Sequence, residues 1–152
     1  MTGGYSGVDI SGTNTHHHRI IHNSISNTGT GISMSKTGNN TVSDNRLSGN
    51  TIGIDLNVNG SGAADNNLVI NNQIYGNSTV GFQMARNAGT MDSNVLMHNR
   101  IWNNGTYGMS EYGATNTVFV EDWIGYSTSS VASPNISGQM IFPSGATSSN
   151  VM

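Results

Sequence analysis

The chain has 152 residues, of which 9% are charged and 34% hydrophobic, and its formal net charge is −3. This length predicts one domain, and the scarcity of basic residues argues against a nucleic-acid partner. No stretch approaches the roughly 20 apolar residues of a membrane span, and the start MTGGYSGVDI does not resemble a signal peptide, so no membrane partner is predicted.

One sequence repeat recurs in five copies, which begin at His16, Asn39, Asn66, Ser93 and Asn116. Four rows of aligned positions define it. One Asn row has intervals of 22, 27, 27 and 23 residues and contains Asn23, Asn45, Asn72, Asn99 and Asp122. A second Asn row contains Asn27, Asn50, Asn77 and Asn104, and an apolar row contains Ile25, Leu47, Ile74 and Ile101. A glycine row, mostly followed by apolar, polar and apolar residues, contains Gly7, Gly31, Gly53, Gly81 and Gly108.

This pattern predicts short strands of period two and no amphipathic helix. Stacked copies of such strands form a parallel β-helix, in which like residues lie about 4.8 Å apart on neighbouring coils. We therefore expect an all-β, right-handed parallel β-helix of about five to six coils over residues 1–125. The Asn rows are interpreted as structural, with side chains hydrogen-bonded along the stack.

Two further features concern the edges and the end of the predicted solenoid. The copies differ in length mainly after the glycine-led strand, where NVNGSGAAD and ARNAGTMDS are longer than SKTG and YGAT, so insertions collect at one turn. In repeat proteins that edge is often the binding face. Residues 126–152 lose the spacing and are predicted to form an irregular cap or an oligomerisation segment, in which only GQMIF resembles a strand.

The strings NNQIYGNSTVGFQM and HNRIWNNGTYGMS resemble the repeats of the pectate-lyase-like superfamily of right-handed β-helices, which includes mannuronan epimerases, polysaccharide lyases and phage tailspike depolymerases. The resemblance covers residues 5–125. It implies an acidic or capsular polysaccharide as partner and a location that is extracellular, secreted or on a virion surface. The Asp-Pro-His-Asp signature of the epimerases is absent from the chain.

Polar residues in the middle of the glycine-led strands should point away from the core in one row. This row contains Asp9, Ser33, Asp55, Gln83 and Ser110. Asp9 and Asp55 lie two coils apart, or roughly 10 Å, which approaches the carboxylate separation of inverting glycosidases. We predict them as catalytic residues and Gln83 as a substrate contact; the alternative is that the carboxylates are ordinary solvated groups.

Two cations follow the same strands. Lys36 and Arg86 either neutralise a sugar carboxylate or, as the resemblance to pectate lyases implies, act as the base of a β-elimination. A role as surface charges explains them equally well.

Aromatic side chains are candidates for stacking on sugar rings. Tyr75 and Trp102 occupy the same repeat position, and these two residues and Tyr112 are predicted to bind substrate. Further aromatic candidates are Tyr107, Trp123 and Tyr126. The alternative is an interface stripe in a homotrimer.

Other polar clusters are weaker candidates. The residues that precede the first Asn row form either an acid–base pair of His22 with Asp44 or a solvated stack: His22, Asp44, Asn71, His98 and Glu121. Adjacent histidines on a strand point to opposite sides, so His16, His17 and His18 do not predict a metal site. Calcium is the one cofactor considered, and its oxygen ligands would be Asp55, Asn57, Asp65 and Asp92.

Three functions remain open from the sequence. The first is a polysaccharide lyase, epimerase or glycoside hydrolase, or a fragment of one. The second is a non-catalytic carbohydrate-binding module, and the third is a structural solenoid such as a virion spike.

Overall fold

The computed structural model describes residues 4–128, 131–132 and 138–141, with side chains as far as Gly125. These ranges contain strands and turns and no α-helix. The strands are β1 Ser6–Ser11, β2 Arg19–Ile21, β3 Ser24–Ser26, β4 Thr30–Ser35, β5 Thr41–Ser43, β6 Arg46–Ser48, β7 Ile52–Val58, β8 Leu68–Ile70, β9 Gln73–Tyr75, β10 Val80–Arg86, β11 Val95–Met97, β12 Arg100–Trp102, β13 Tyr107–Tyr112, β14 Val118–Val120, β15 Trp123–Ile124, β16 Tyr126–Thr128, β17 Val131–Ala132 and β18 Gly138–Ile141.

Three parallel sheets wind around one core, as the period-two pattern predicted. Sheet A has the order β1-β4-β7-β10-β13-β18, sheet B contains β2, β5, β8, β11 and β14, and sheet C contains β3, β6, β9, β12 and β15. Each coil contributes one strand to each sheet, so every backbone ladder joins neighbouring coils. Sheet A has strands of six or seven residues between β1 and β13, whereas those of sheets B and C have two or three.

The predicted parallel β-helix is therefore confirmed, but its coil number was wrong. The solenoid makes about four turns, slightly fewer than the predicted five to six coils.

The core is a set of apolar columns that run along the stack. Sheet B contributes Ile20, Val42, Val69, Leu96 and Phe119, and sheet C contributes Ile25, Leu47, Ile74, Ile101 and Ile124. Sheet A contributes two columns, and in one of them Met84 is followed in the next coil by the fully buried Glu111. Glu111 Oε1 accepts a hydrogen bond from the Ala114 N–H at 2.7 Å, so a polar side chain closes the turn from inside.

The first Asn row forms a hydrogen-bonded ladder at the bend between sheets B and C. The backbone N–H and Nδ2 of Asn72 both donate to Asn99 Oδ1 at 3.0 Å. Nδ2 also donates to the Val42 carbonyl at 2.9 Å, and Oδ1 accepts two bonds from Asn45. Buried amides satisfied in this way hold the bend without leaving unpaired polar groups, which confirms the structural interpretation of this row.

The second Asn row was wrong at its first member. In the bend between sheets C and A, Asn50, Asn77 and Asn104 form the ladder, and Asn50 Oδ1 accepts bonds from Thr28 at 3.0 and 2.8 Å. Thr28 thus holds the position assigned to Asn27. Asn27 lies one residue earlier, at the left-handed corner that Gly76 and Asn103 occupy in later coils, with a φ of 60°. The ladder position follows the first Asn row by five residues in every coil, whereas Asn27 follows Asn23 by only four.

The sequence did not reveal a third ladder, at the bend between sheets A and B. There Asn40 donates to Asn67 and Asn67 to Asn94, with distances of 2.9–3.1 Å. The sequence signal for this ladder was the second residue of three copies, which is an asparagine after Asn39, Asn66 and Ser93. Each of the three bends therefore carries its own amide ladder.

The residue before each ladder position adopts a left-handed conformation. In the bend between sheets B and C these residues are His22, Asp44, Asn71, His98 and Glu121, with φ between 50° and 58°. Such conformations are uncommon for residues other than glycine, although Asn and Asp tolerate them. The residues predicted to form a polar stack therefore share a backbone role, since each forms the left-handed turn between sheets B and C.

The glycine row allows neighbouring coils to approach at the start of sheet A. A Cβ added at Gly31 would lie 2.5 Å from the Gly53 carbonyl oxygen and 2.9 Å from Leu47 Cδ2. The close approach of the two coils therefore leaves no room for a side chain at Gly31.

The predicted insertions lie in the turn from sheet A to sheet B. This turn is long after β7 and β10, and isolated bridges such as Ala63 with Thr90 hold successive turns together.

The segment after residue 125 is described only in part. β16 and β17 pair antiparallel, and β18 pairs with β13 and extends sheet A, so the strand predicted at GQMIF is present. Much of the predicted cap or oligomerisation segment, 126–152, lies outside the described residues, as does the side chain of Tyr126. Its role stays a prediction.

Candidate functional site

The outward row on sheet A is the centre of the candidate site. Strand register places Asp9, Ser33, Asp55, Gln83 and Ser110 on successive coils, as the sequence indicated. A parallel row on the same face contains Ser11, Ser35, Asn57, Ala85 and Tyr112. Apart from Tyr112, both rows have side chains no longer than glutamine, so they form a shallow polar floor along the solenoid axis.

Asp55 is the most constrained carboxylate of this floor. Its Oδ2 accepts a hydrogen bond from Asn57 Nδ2 at 2.8 Å, and its Oδ1 accepts one from Gln83 Nε2 at 3.2 Å. Ser35 in turn donates to Asn57 at 2.8 Å. Burial raises the pKa of the Asp55 carboxyl above its usual range, while the bonds from Asn57 and Gln83 offset part of the effect.

A cleft of about 390 Å³ opens where sheet A turns into the long loops; Asp55 does not line it, but its hydrogen-bond partner Asn57 does. We call it the Arg86 cleft; it is lined by Asn57, Val58, Asn59, Ala85, Arg86, Asn87 and Tyr112. Arg86 donates to the Gly89 carbonyl at 3.0 Å, while its Nε is buried and has no hydrogen-bond partner among the described residues. Tyr112 is 42% exposed, which is high for a large side chain. Asn57 belongs to both the cleft and the hydrogen bond to Asp55.

Lys36 lies two coils before Arg86 at the same edge, but against a loop. A Cβ added at Gly62 would lie 3.2 Å from three carbons of the Lys36 side chain. The loop therefore covers the aliphatic part of Lys36, and Lys36 is not part of the Arg86 cleft. Of the two predicted cations, only Arg86 reaches the cleft.

Asp9 is exposed and separated from Asp55 by Ser33. Two coils correspond to about 10 Å, slightly beyond the roughly 6.5–9.5 Å of inverting glycosidases. Register thus brings the two carboxylates onto one face in the predicted order, and their environments differ, since only Asp55 is half-buried.

The structure separates two predicted substrate contacts from this site. Tyr75 and Trp102 lie on sheet C, with parallel rings 4.5 Å apart, and the guanidinium of Arg46 lies 5.0 Å from the Tyr75 ring on sheet C. A guanidinium and an indole therefore already pack against Tyr75. The sequence contained the signal for this separation, because Tyr75 and Trp102 directly follow the apolar row, which belongs to a different strand from the glycine-led one.

The other polar clusters are also placed. In the row before the first Asn ladder, the close pair is His98 Nε2 with Glu121 at 3.2 Å, and the structure records no contact between His22 and Asp44. His16 and His17 contact each other at 2.6 Å on the surface. Within the described residues, no three His, Asp or Glu side chains are arranged to hold a metal ion.

The calcium candidates are divided between two places. Asp65 accepts bonds from Thr90 and from the Asp92 N–H, at 2.9 and 2.7 Å. Asp92 accepts bonds from Thr115, Asn116 and Ser93, which hold the pKa of its carboxyl below the usual value. These oxygens already accept protein hydrogen bonds in the loops, away from Asp55 and Asn57, so the set does not fit one calcium ion.

Sequence reasoning missed part of the Arg86 cleft. Asn59 and Asn87 line it together with the predicted Arg86 and Tyr112. Asn87 Nδ2 donates to Asn59 at 2.7 Å across the two long loops. Their shared position at the start of each long insertion was the available signal.

Comparisons place the chain by its fold. In the part that the structure describes, no helix has the length and apolar character needed to cross a membrane. No curated protein and no solved structure matches the chain. A family model described as the right-handed β-helix region matches residues 1–124, and the chain belongs to that family.

Proposed function

We propose that this chain binds a polysaccharide along the outer face of sheet A and cleaves it with Asp55 as the proton donor. The observation that carries the proposal is the position of Asp55: a half-buried carboxyl with a raised pKa, hydrogen-bonded to Asn57, which lines the Arg86 cleft. Perturbed carboxyls beside a cleft are typical of acid–base sites.

The shape and chemistry of sheet A suit a sugar polymer. A polar floor runs along the axis, and serine, asparagine and glutamine side chains can exchange hydrogen bonds with sugar hydroxyls. Tyr112 adds an exposed ring at one end of this floor, and Arg86 adds a positive charge. A polymer lying along the solenoid axis would contact both. A protein with such a substrate would act outside the cell or on a virion surface.

Hydrolysis requires a proton for the leaving oxygen and an activated water. A carboxyl with a raised pKa keeps its proton at higher pH and can donate it. Asp9, exposed and two coils away, is the residue on this face that can activate water from the opposite side of the bond. Elimination would instead use Arg86 as the base and leave an unsaturated product.

The test is turnover of a panel of alginate, pectin and capsular polysaccharides. Reducing ends report cleavage of either kind, and absorbance of unsaturated products reports elimination alone. Asp55→Asn should lower the rate by at least a hundredfold, as expected when a general acid is lost. Asp44→Asn is the matched control, because it makes the same change at an exposed corner near sheet C. Full turnover by Asp55→Asn would refute the assignment.

A non-catalytic binding module is the second candidate, supported by the hydrogen bonds of Asp55 itself. Asn57 lies on the same strand and Gln83 on the next coil, so Asp55 also connects neighbouring coils. In that case a polysaccharide in the gel would retard the wild-type protein in affinity electrophoresis, and the protein would release no product from it. Product release therefore separates the two candidates. Thermal unfolding checks that Asp55→Asn is folded: a carboxyl with a raised pKa opposes folding when ionised, so this variant should be at least as stable as wild type at neutral pH.

A further inference from the structure

Sheet C carries two arginines whose positive charges have no partner in the described part of the chain. Arg46 and Arg100 lie two coils apart in one outward column, with Gln73 between them. The Arg100 guanidinium lies 4.8 Å from the Trp123 ring centroid, just as Arg46 lies 5.0 Å from that of Tyr75. No acceptor within the described ranges forms a hydrogen bond or ion pair with either guanidinium.

Stacking on an aromatic ring fixes a guanidinium and leaves its N–H groups free at the edge. Arginine has five such donors in a planar arrangement that matches a carboxylate. A fixed and unpaired guanidinium is a prepared contact for an anion, because little side-chain entropy remains to be lost on binding.

The surroundings of Arg100 complete a site, which we call the Arg100 hollow. It has a volume of about 200 Å³ and is lined by Asn71, Asn72, Gln73, His98 and Arg100, all of which have N–H donors and none of which is acidic. A second hollow of about 220 Å³ adjoins it, sharing Asn71, His98 and Arg100, and is also lined by Glu121 and Trp123. Glu121 pairs with His98 at 3.2 Å, and Asp44 lies one coil from Asn71.

We infer that the Arg100 hollow binds the carboxylate of an acidic sugar, with Arg100 as the main contact and Asn71 and Gln73 bonding to sugar hydroxyls. Each hollow is smaller than the roughly 300 Å³ of a drug-sized pocket, so one sugar unit is the appropriate size. Nearby carboxylates at Glu121 and Asp44 disfavour a dense polyanion but not a single acidic unit. The inference rests on the proposed function, because it takes the ligand to be a carbohydrate. It adds that the carbohydrate is acidic and that sheet C is a second binding face.

The chain provides its own reporter for this face. Both of its tryptophans, Trp102 and Trp123, lie on sheet C, whereas the proposed cleavage site is on sheet A. A ligand in the Arg100 hollow should change tryptophan emission, and a ligand confined to sheet A should leave it unchanged. The probes are oligogalacturonate as the acidic ligand and a neutral galactan oligosaccharide of equal length.

We expect oligogalacturonate to change tryptophan emission and the neutral oligosaccharide to bind at least tenfold more weakly. Arg100→Gln should reduce affinity for the acidic probe at least tenfold, and Arg100→Lys should restore it only in part, because lysine lacks the planar pair of donors. Arg19→Gln, an exposed change on sheet B, is the matched control and should not alter binding. Circular dichroism confirms that each variant is folded.

Several outcomes would overturn the inference. Equal weakening by Arg100→Gln and Arg19→Gln would show a general charge effect, and equal binding of both probes would exclude a carboxylate contact. Unchanged affinity in Arg100→Gln would exclude the hollow. Self-association lost in Arg100→Gln, without any sugar binding, would assign this face to a second copy of the chain. Polysaccharide turnover by Asp55 variants is a separate assay. A negative result for the Arg100 hollow therefore does not refute the proposed cleavage on sheet A, and a negative turnover result does not refute the Arg100 hollow.

Discussion

Asn99 donates two hydrogen bonds to a single oxygen of Asp122, from its backbone N–H at 2.7 Å and from Nδ2 at 2.9 Å. Asp122 thereby ends a ladder whose other members are asparagines. An asparagine amide can also donate to a backbone carbonyl, as Asn99 does to Val69 at 2.9 Å. The second oxygen of Asp122 is buried and has no hydrogen-bond partner among the described residues. Burial raises the pKa of Asp122 to about 6.

This relationship predicts the direction of a pH effect on stability. The folded-state pKa is above the ordinary value of 3.8, so folding favours the protonated acid. The stabilisation is therefore complete at low pH and decreases as the pH rises through about 6. Replacement by Asn supplies the missing donor without ionising. We expect Asp122→Asn to raise the free energy of unfolding by about 1–2 kcal/mol at pH 7.5, below the roughly 3 kcal/mol that the full pKa shift would allow.

Urea unfolding of wild type and Asp122→Asn between pH 5 and pH 7.5 measures this effect. The difference between the two proteins should grow as the pH rises through about 6 and then level off. A constant difference across this range would contradict the raised pKa of Asp122.

The amide ladders are predicted to dominate stability at the bends. Asn72→Ala removes the oxygen that accepts two hydrogen bonds from Asn45, and it removes one of the two donors to Asn99 Oδ1. Unsatisfied buried polar groups and the new space should together cost about 2–4 kcal/mol. Asn103→Gly is the control, because Asn103 is exposed and glycine occupies the matching corner at Gly76. Denaturant unfolding should show a loss below about 0.5 kcal/mol for Asn103→Gly; equal losses would contradict the ladder's role.

The glycine row predicts steric intolerance. A Cβ at Gly81 would lie 2.6 Å from the Gly108 carbonyl oxygen and 2.6 Å from Ile101 Cγ2. Gly81→Ala must therefore separate two coils, and we expect a loss of about 2–4 kcal/mol in thermal or urea unfolding. Gly76→Asn tests the opposite case. Its φ of 62° suits asparagine and no atom lies within 4 Å of the added Cβ, so its stability should remain within about 0.5 kcal/mol of wild type.

The hydrogen bonds to Asp55 predict how its titration can be altered. Those from Asn57 and Gln83 both lower its pKa, against the larger effect of burial. Asn57→Leu and Gln83→Leu should therefore each raise the pKa of Asp55 further. The 13C shift of the Asp55 carboxyl during a pH titration measures this directly, and Ser110→Ala, two coils away in the same row, is the control. A pKa that falls in either leucine variant would contradict the hydrogen-bonding arrangement.

Much of the fold was predictable because a solenoid repeats its local contacts along the sequence. The recurrence of Ile25, Leu47, Ile74 and Ile101 identified a core column, and Asn72 could be assigned to a ladder, since each coil places like residues above like. Asn27 shows the limit of this reasoning. It lies four residues after Asn23, whereas the ladder position follows the first Asn row by five residues in every coil. Matching by residue type therefore assigned the ladder to an asparagine where the structure has Thr28.

The sequence by itself determined the periodic features of this protein: the parallel coils, the buried apolar columns, two of the three ladders and the outward order of Asp9, Ser33 and Asp55. Tertiary structure alone decided the environment of each exposed side chain. It stacked Tyr75 on Trp102, covered Lys36 with a loop, and brought Arg86 and Tyr112 into one cleft with Asn57, a hydrogen-bond partner of Asp55. The physical reason is that a repeat fixes the height of a residue along the axis, whereas burial and partners depend on bends and loops that differ from coil to coil.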